Sequence, residues 1–244
     1  MKTLAAIAVV ALSAAAFSAV GKAYEPKTRL PVEKDGVTVK RQGYGNRWYQ
    51  KLDEIKKSGG EFDLVLVGDS ITHRWESAGK SQLNELRKVY KVLNIGYGSD
   101  RTENVLWRFE HGELDGYKAK CFMVMIGTNN CFHFEPEEIA KGVKAILDKI
   151  GGKHPESKTI LVSILPRRSP SQADALARGM KVNELISKYH DGEKVFYLDI
   201  KDRFLELQGE DYKKLLPDGT HPNAAGYRIW LAAAKPLLNK ICGK

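Results

Sequence analysis

The stretch DLVLVGDSITH (residues 63–73) decides how the chain reads. Its first half, Asp63–Val67, is a short apolar run with no polar alternation, which suits a strand buried on both faces of a parallel sheet. Its second half turns at Gly68 and presents Asp69, Ser70 and Thr72 where a strand gives way to a helix. Four more runs share that character: Lys91–Ile95, Cys121–Ile126, Thr159–Ile164 and Val195–Leu198. Helical spacing fills the intervals. Trp48, Leu52 and Ile55 share one face, as do Leu83, Leu86 and Tyr90, and then Val105, Leu106 and Phe109. Ile139, Val143, Ile146, Leu147 and Ile150 form a further stripe, and Met180, Leu185, Ile186 and Tyr189 another. Tyr227, Trp230, Leu231, Leu237 and Leu238 belong to a C-terminal helix. Strand and helix in alternation predict a doubly wound α/β domain with helices on both sheet faces. Ligands in such folds gather at the C-terminal ends of the strands.

Composition agrees with a globular chain. The 244 residues are 43% hydrophobic and 28% charged, with Gly 22 and Pro 9, which excludes disordered, collagenous and low-complexity classes. Lys+Arg 39 against Asp+Glu 30 gives a formal net charge of +9. The lysines are interspersed with acids, as in KLDEIKK (51–57), and no basic run is interleaved with aromatics, so no nucleic-acid partner is expected.

Residues 1–23 read as a secretory signal peptide: Lys2, a charge-free apolar run over Leu4–Val20, then Gly21 and Ala23 at the −3 and −1 positions of a cleavage site before Tyr24. The alternative is an N-terminal membrane anchor, for which the run is short and Ala-rich. The expectation is a secreted or periplasmic protein, with no stable membrane insertion after cleavage and residues 24–244 forming one domain. Tyr24–Tyr44 is a polar lead-in. Cys121 and Cys131 flank the apolar run Phe122–Ile126; at ~3.3 Å of rise per residue, opposite ends of a strand are too far apart for a disulfide, so both are expected as buried or half-buried thiols.

The residues after the strands carry the chemistry. Ser70 follows a strand by one tight turn, the position of a nucleophile, although G-x-S-x-G is not met because Thr72 stands at +2. Ser70 and Asp69 equally suit a helix N-cap. The loop GYGSD (96–100) offers exposed backbone N–H groups, or is a plain turn. GTNN (127–130) places an amide at a strand end, or again a turn. DGTHP (218–222) spaces Asp218 and His221 so that the carboxylate can hold one ring nitrogen and free the other; the alternative is a D-G turn before Pro at a helix start. Phe132 and His133 are candidates for a substrate wall or for packing.

These four blocks, in this order and covering nearly the whole chain after residue 23, resemble the SGNH/GDSL-type serine hydrolases. NVLWRFEHGEL (104–114) and ILPRR (164–168) are similar to the catalytic subunits of the brain-type platelet-activating factor acetylhydrolases. The resemblance implies a flavodoxin-like three-layer α/β/α sandwich on a five-stranded parallel sheet. It implies Ser70 as nucleophile, His221 as general base and Asp218 as its orienter. The oxyanion hole would take the Ser70 N–H, the Ser99 N–H (Gly98 as alternative) and the Asn129 side chain. No metal or organic cofactor is implied. The expected reaction is hydrolysis of short-chain esters, acetyl above all, with O-acetyl groups on carbohydrate as the substrate. A lipid or phospholipid acyl esterase is the alternative, and a non-catalytic binding module on the same scaffold is a reading of another class.

Overall fold

The computed structural model describes residues 45–243, so the expected signal peptide and the polar lead-in lie outside the described residues. Helix α1 spans Gly45–Lys57. Five parallel strands follow, β1 (Glu61–Gly68), β2 (Val92–Gly96), β3 (Lys118–Met125), β4 (Lys158–Val162) and β5 (Val195–Leu198), in the spatial order β2-β1-β3-β4-β5. The strand order reverses direction between β1 and β3, which is where such sheets bind ligands. Register puts the ends level: Gly68 lies opposite Gly96 on one side and Met125 on the other.

Helices cover both faces of the sheet. Between the strands run α2 (Ser70–His73), α3 (Lys80–Arg87), α4 (Thr102–Arg108), α5 (Pro136–Lys153) and α6 (Ala173–Ile186), then α7 (Asp202–Leu205) and α8 (Ala224–Cys242). Side chains of β1 alternate between two cores. Val65 and Val67 join Trp48, Val105, Val143 and Ile146 on one face; Leu64 and Leu66 join Trp75, Leu83, Tyr227 and Trp230 on the other. Both faces of the sheet are packed with buried apolar side chains, which is why the strands carry no polar alternation.

Two departures have local causes. The β4 run was expected to reach Ile164 but stops at Val162. Asn183 of α6 takes over there: its Oδ1 accepts from the Ile164 N–H at 2.7 Å and its Nδ2 donates to the Ile164 carbonyl at 2.9 Å, so the chain peels off while its backbone stays satisfied. That same helix buries Ala175, Val182 and Ile186, while Met180 and Leu185 are only half-buried, as is Tyr189 just beyond its end, because Asn183 claims part of the inward face. All three cysteines are buried thiols, and no disulfide forms among the described residues.

Short α2 lies directly across the strand ends. A Cβ at Gly68 would collide with the Met125 carbonyl and Thr72 Oγ1, and one at Gly96 with the His73 N–H. The two glycines let the helix that begins with Ser70 sit against β1 and β2.

Candidate active site

Asp69 caps α2: its Oδ1 accepts from the Ile71 N–H at 2.9 Å. The capping role therefore falls to Asp69, and the Ser70 hydroxyl is released from it. Asp69 is fully buried, and its Oδ2 has no hydrogen-bond partner among the described residues. Burial, against the opposing pull of the Ile71 N–H and Arg167, pushes its carboxyl up to about 7.

Ser70 Oγ lies 2.8 Å from His221 Nε2. His221 Nδ1 lies 2.7 Å from Asp218 Oδ2. An ionised carboxylate only accepts, so Nδ1 carries the proton and Nε2 is the acceptor facing the Ser70 hydroxyl. Asp218 Oδ1 also accepts from the backbone N–H groups of Thr220 at 3.0 Å and His221 at 2.7 Å. Burial works against that charge, but the His221 backbone and ring and the Thr220 N–H outweigh it and hold Asp218 at about 2. His221 itself is lowered from the ordinary histidine value: burial disfavours the imidazolium, and Arg74 and Arg167 add to that, against the pull of Asp218. Pro222 is not the first residue of a helix, as the turn alternative would have it. Asn223 intervenes as the cap of α8, accepting from Ala225 and Gly226.

The glycine loop closes as a turn, Asp100 N–H to the Tyr97 carbonyl at 3.3 Å. Ser99 has φ 61°, the one positive value for a non-glycine among the described residues. That left-handed conformation costs about 1–2 kcal/mol. No hydrogen bond within the described chain uses the N–H of Gly98 or Ser99. The Ser70 N–H is likewise one of the unpaired donors at a helix start. Asn129 donates through Nδ2 to the Asp100 carbonyl at 2.9 Å, which draws the amide loop and the glycine loop together. Its neighbour Asn130 is buried and ties the same loop to α4, accepting from the Thr102 N–H at 3.1 Å and donating to Glu103 at 3.0 Å.

Two arginines that sequence reasoning missed complete the surroundings. Arg108 is buried, stacks 4.2 Å above the Tyr97 ring, and bonds Asp100 Oδ2 through Nε at 3.0 Å while pairing with Glu113. Burial raises Asp100 to about 6 even with Arg108 beside it. Arg167 donates to Asn129 Oδ1 at 3.0 Å. Their signal was present but unread: they fall within NVLWRFEHGEL and ILPRR, the two stretches that carry the narrower likeness. Phe132 is 41% exposed and lies under the Arg167 guanidinium at 4.5 Å; His133 is exposed. Among the described residues no group of three or more His, Cys, Asp or Glu is placed to hold a metal, and no helix is long and apolar enough to cross a membrane.

Known proteins resemble this chain in sequence and in fold. The profile of the GDSL-like Lipase/Acylhydrolase family matches residues 66–229. The platelet-activating factor acetylhydrolase IB subunit alpha1 of Homo sapiens is 30% identical over 183 residues, 74% of this chain and 77% of that protein. The alpha2 subunit of Rattus norvegicus is 33% identical over 168 residues, 68% of this chain and 72% of that one. Among solved structures, a GDSL-like lipase from Bacteroides thetaiotaomicron superposes with TM-score 0.65 at 18% identity, over 79% of this chain and 97% of that one. An acetylxylan esterase from Geobacillus stearothermophilus does so with TM-score 0.60 at 16% identity, over 74% and 95%. At such identities the structural likeness speaks for the fold alone, and it is the five-stranded sheet described above.

Proposed function

We propose a specific reaction for this chain, which belongs to the GDSL-like lipase/acylhydrolase family and is a serine esterase acting on carboxylic esters: transfer of a short acyl group to water through an acyl-enzyme on Ser70. The observation that carries the proposal is the continuous file Ser70 Oγ, His221 and Asp218, with contacts of 2.8 and 2.7 Å. Ser70 Oγ attacks the ester carbonyl as His221 Nε2 takes its proton. Asp218 keeps the ring in the required tautomer and stabilises the imidazolium. The Ser70 N–H, the Ser99 or Gly98 N–H and Asn129 Nδ2 meet the oxyanion, where loss of one such donor costs about 3–4 kcal/mol of barrier. His221 returns the proton to the departing alcohol. Water then attacks the acyl-enzyme with the same base, and the acid leaves.

The acyl group proposed is acetyl. The names of the relatives support this from two sides, since one is an acetylhydrolase and the other an acetylxylan esterase; they differ in what carries the acetyl group. The alcohol proposed is a carbohydrate, reached after export directed by residues 1–23, with residues 24–244 as the single hydrolase domain. The specific alternative is a lipid acetyl ester, favoured by the relatives of 30% identity and above. Initial rates on aryl acetate and aryl octanoate, then on acetylated xylan and an acetylated ether phospholipid, test both halves. We expect the acetate to be preferred and acetate to be released from the xylan. Preference for octanoate overturns the acyl assignment, and release from the phospholipid alone overturns the carbohydrate. N-terminal sequencing of the exported protein should begin at Tyr24.

A further inference from the structure

Arg167 is a buried cation, 7% exposed, with no ion pair among the described residues. All its hydrogen bonds go to neutral oxygens: Nε to Thr128 Oγ1 at 3.1 Å, Nη1 to Thr220 Oγ1 at 3.1 Å and Gln172 Oε1 at 3.4 Å, Nη2 to Asn129 Oδ1 at 3.0 Å. Burying a charge without a bonded counterion works against folding. Arg108, buried nearby in the same architecture, has two carboxylates. The contrast asks what Arg167 does.

The partners answer. A guanidinium has five donors and no acceptor, so Asn129 must turn its oxygen toward Arg167. The nitrogen then faces the other way, with one proton on the Asp100 carbonyl and the second used by no hydrogen bond among the described residues. A flipped amide would set donor against donor at Arg167 and acceptor against acceptor at Asp100. The positive charge on Oδ1 also polarises the amide and strengthens its N–H as a donor. On the other side, Thr220 stands between Asp218 and His221 and offers its own N–H to Asp218. One planar group thus touches both the loop that offers the amide and the loop that carries the base.

We propose that Arg167 is a positioning residue of this reaction: it fixes the Asn129 amide with nitrogen toward the substrate oxygen and holds the Asn129 loop in register with the Asp218–His221 loop through Thr220. The inference rests on the reading of Asn129 as an oxyanion donor, and the test separates the two. Wild type, N129A, R167M and the double variant are compared on an aryl acetate, reading kcat, KM and the melting temperature. N129A lowers kcat by about 10²–10³ with KM little changed. R167M lowers kcat by about 10- to 100-fold, a lesser loss than removal of the donor itself. R167K, which keeps the charge and loses the fork, falls between R167M and wild type. In the N129A background R167M adds less than about 3-fold, because both changes break one unit.

Wild-type kcat in N129A overturns the donor reading and this inference with it. A lowered N129A with multiplicative effects in the double variant overturns the inference alone. A raised KM with unchanged kcat in R167M does the same. Should R167M fail to fold, R167K and R167K/N129A make the same comparison.

Discussion

The two halves of the site are held by different means. Asp218 reaches His221 within one turn of chain, its side chain is 49% exposed, and its remaining hydrogen bonds go to the backbone of that turn. Asn129 and the glycine loop depend instead on buried groups from elsewhere: Arg167, 38 residues along the chain from Asn129, and Arg108 on α4 behind Asp100. On the proposed mechanism, proton handling is built locally and stabilisation of the oxyanion by tertiary contacts. The first half should therefore lose chemistry without losing the fold, and the second should lose both together.

The largest expected effects fall on the local half. S70A and H221A each reduce kcat on an aryl acetate on the order of 10⁶-fold, and D218N on the order of 10⁴-fold, with melting temperatures near wild type. A large fall in melting temperature for these variants would break the comparison. R108M removes the counterion of two buried carboxylates, Asp100 and Glu113, and is expected to cost about 3–5 kcal/mol in chemical denaturation. R108M with wild-type stability would show that the glycine loop stands without its brace.

Smaller effects follow from titration. On the proposed mechanism activity should rise as His221 loses its proton, and its pKa is lowered by burial with help from Arg74 and Arg167. The acid limb of kcat/KM therefore lies below the ordinary histidine value of ~6.5. Arg74 lies 3.6 Å from Asp218, and its charge opposes the imidazolium. R74M should move the limb to higher pH, and a limb that stays in place or moves down contradicts the assignment. The smallest effect concerns Asp69. Its folded value of about 7 stands above the ~3.9 of an unfolded aspartate, so the folded state binds more protons between those limits. Stability from this group falls as pH rises through that window. D69N keeps the cap acceptor without the charge, so thermal melts should show it gaining on wild type from pH 4 to 8. A constant difference would refute the account of Asp69.

The same division sets what could be read in the sequence. Asp63–Val67 and its four counterparts were legible because strands buried on both faces have no polar positions to confuse the pattern. The ends were less so. β3 begins at Lys118 rather than Cys121 because exposed Lys118 and Lys120 alternate with buried Ala119 at the strand entrance, where Lys118 and Ala119 already pair with Glu61 and Phe62. β4 ends early because a side chain from α6 replaces a strand partner, which no local pattern encodes. Ser70, Asp218, His221 and Asn129 stood out in the sequence because four short blocks, each a plain turn when read alone, recur together in the order of the family they resemble, and the structure brings Ser70, His221 and Asp218 into one hydrogen-bonded file. Arg108 and Arg167 were not, because an arginine in a chain with Lys+Arg 39 reads as surface until its neighbours are known.

The central claim is that the Ser70 hydroxyl is the group that His221 activates. Labelling with a fluorophosphonate, followed by peptide mapping by mass spectrometry, tests it most directly. The account predicts one adduct, on Ser70, absent in S70A and formed far more slowly in H221A. An adduct on another residue, or an esterase that stays active with Ser70 unlabelled, contradicts it.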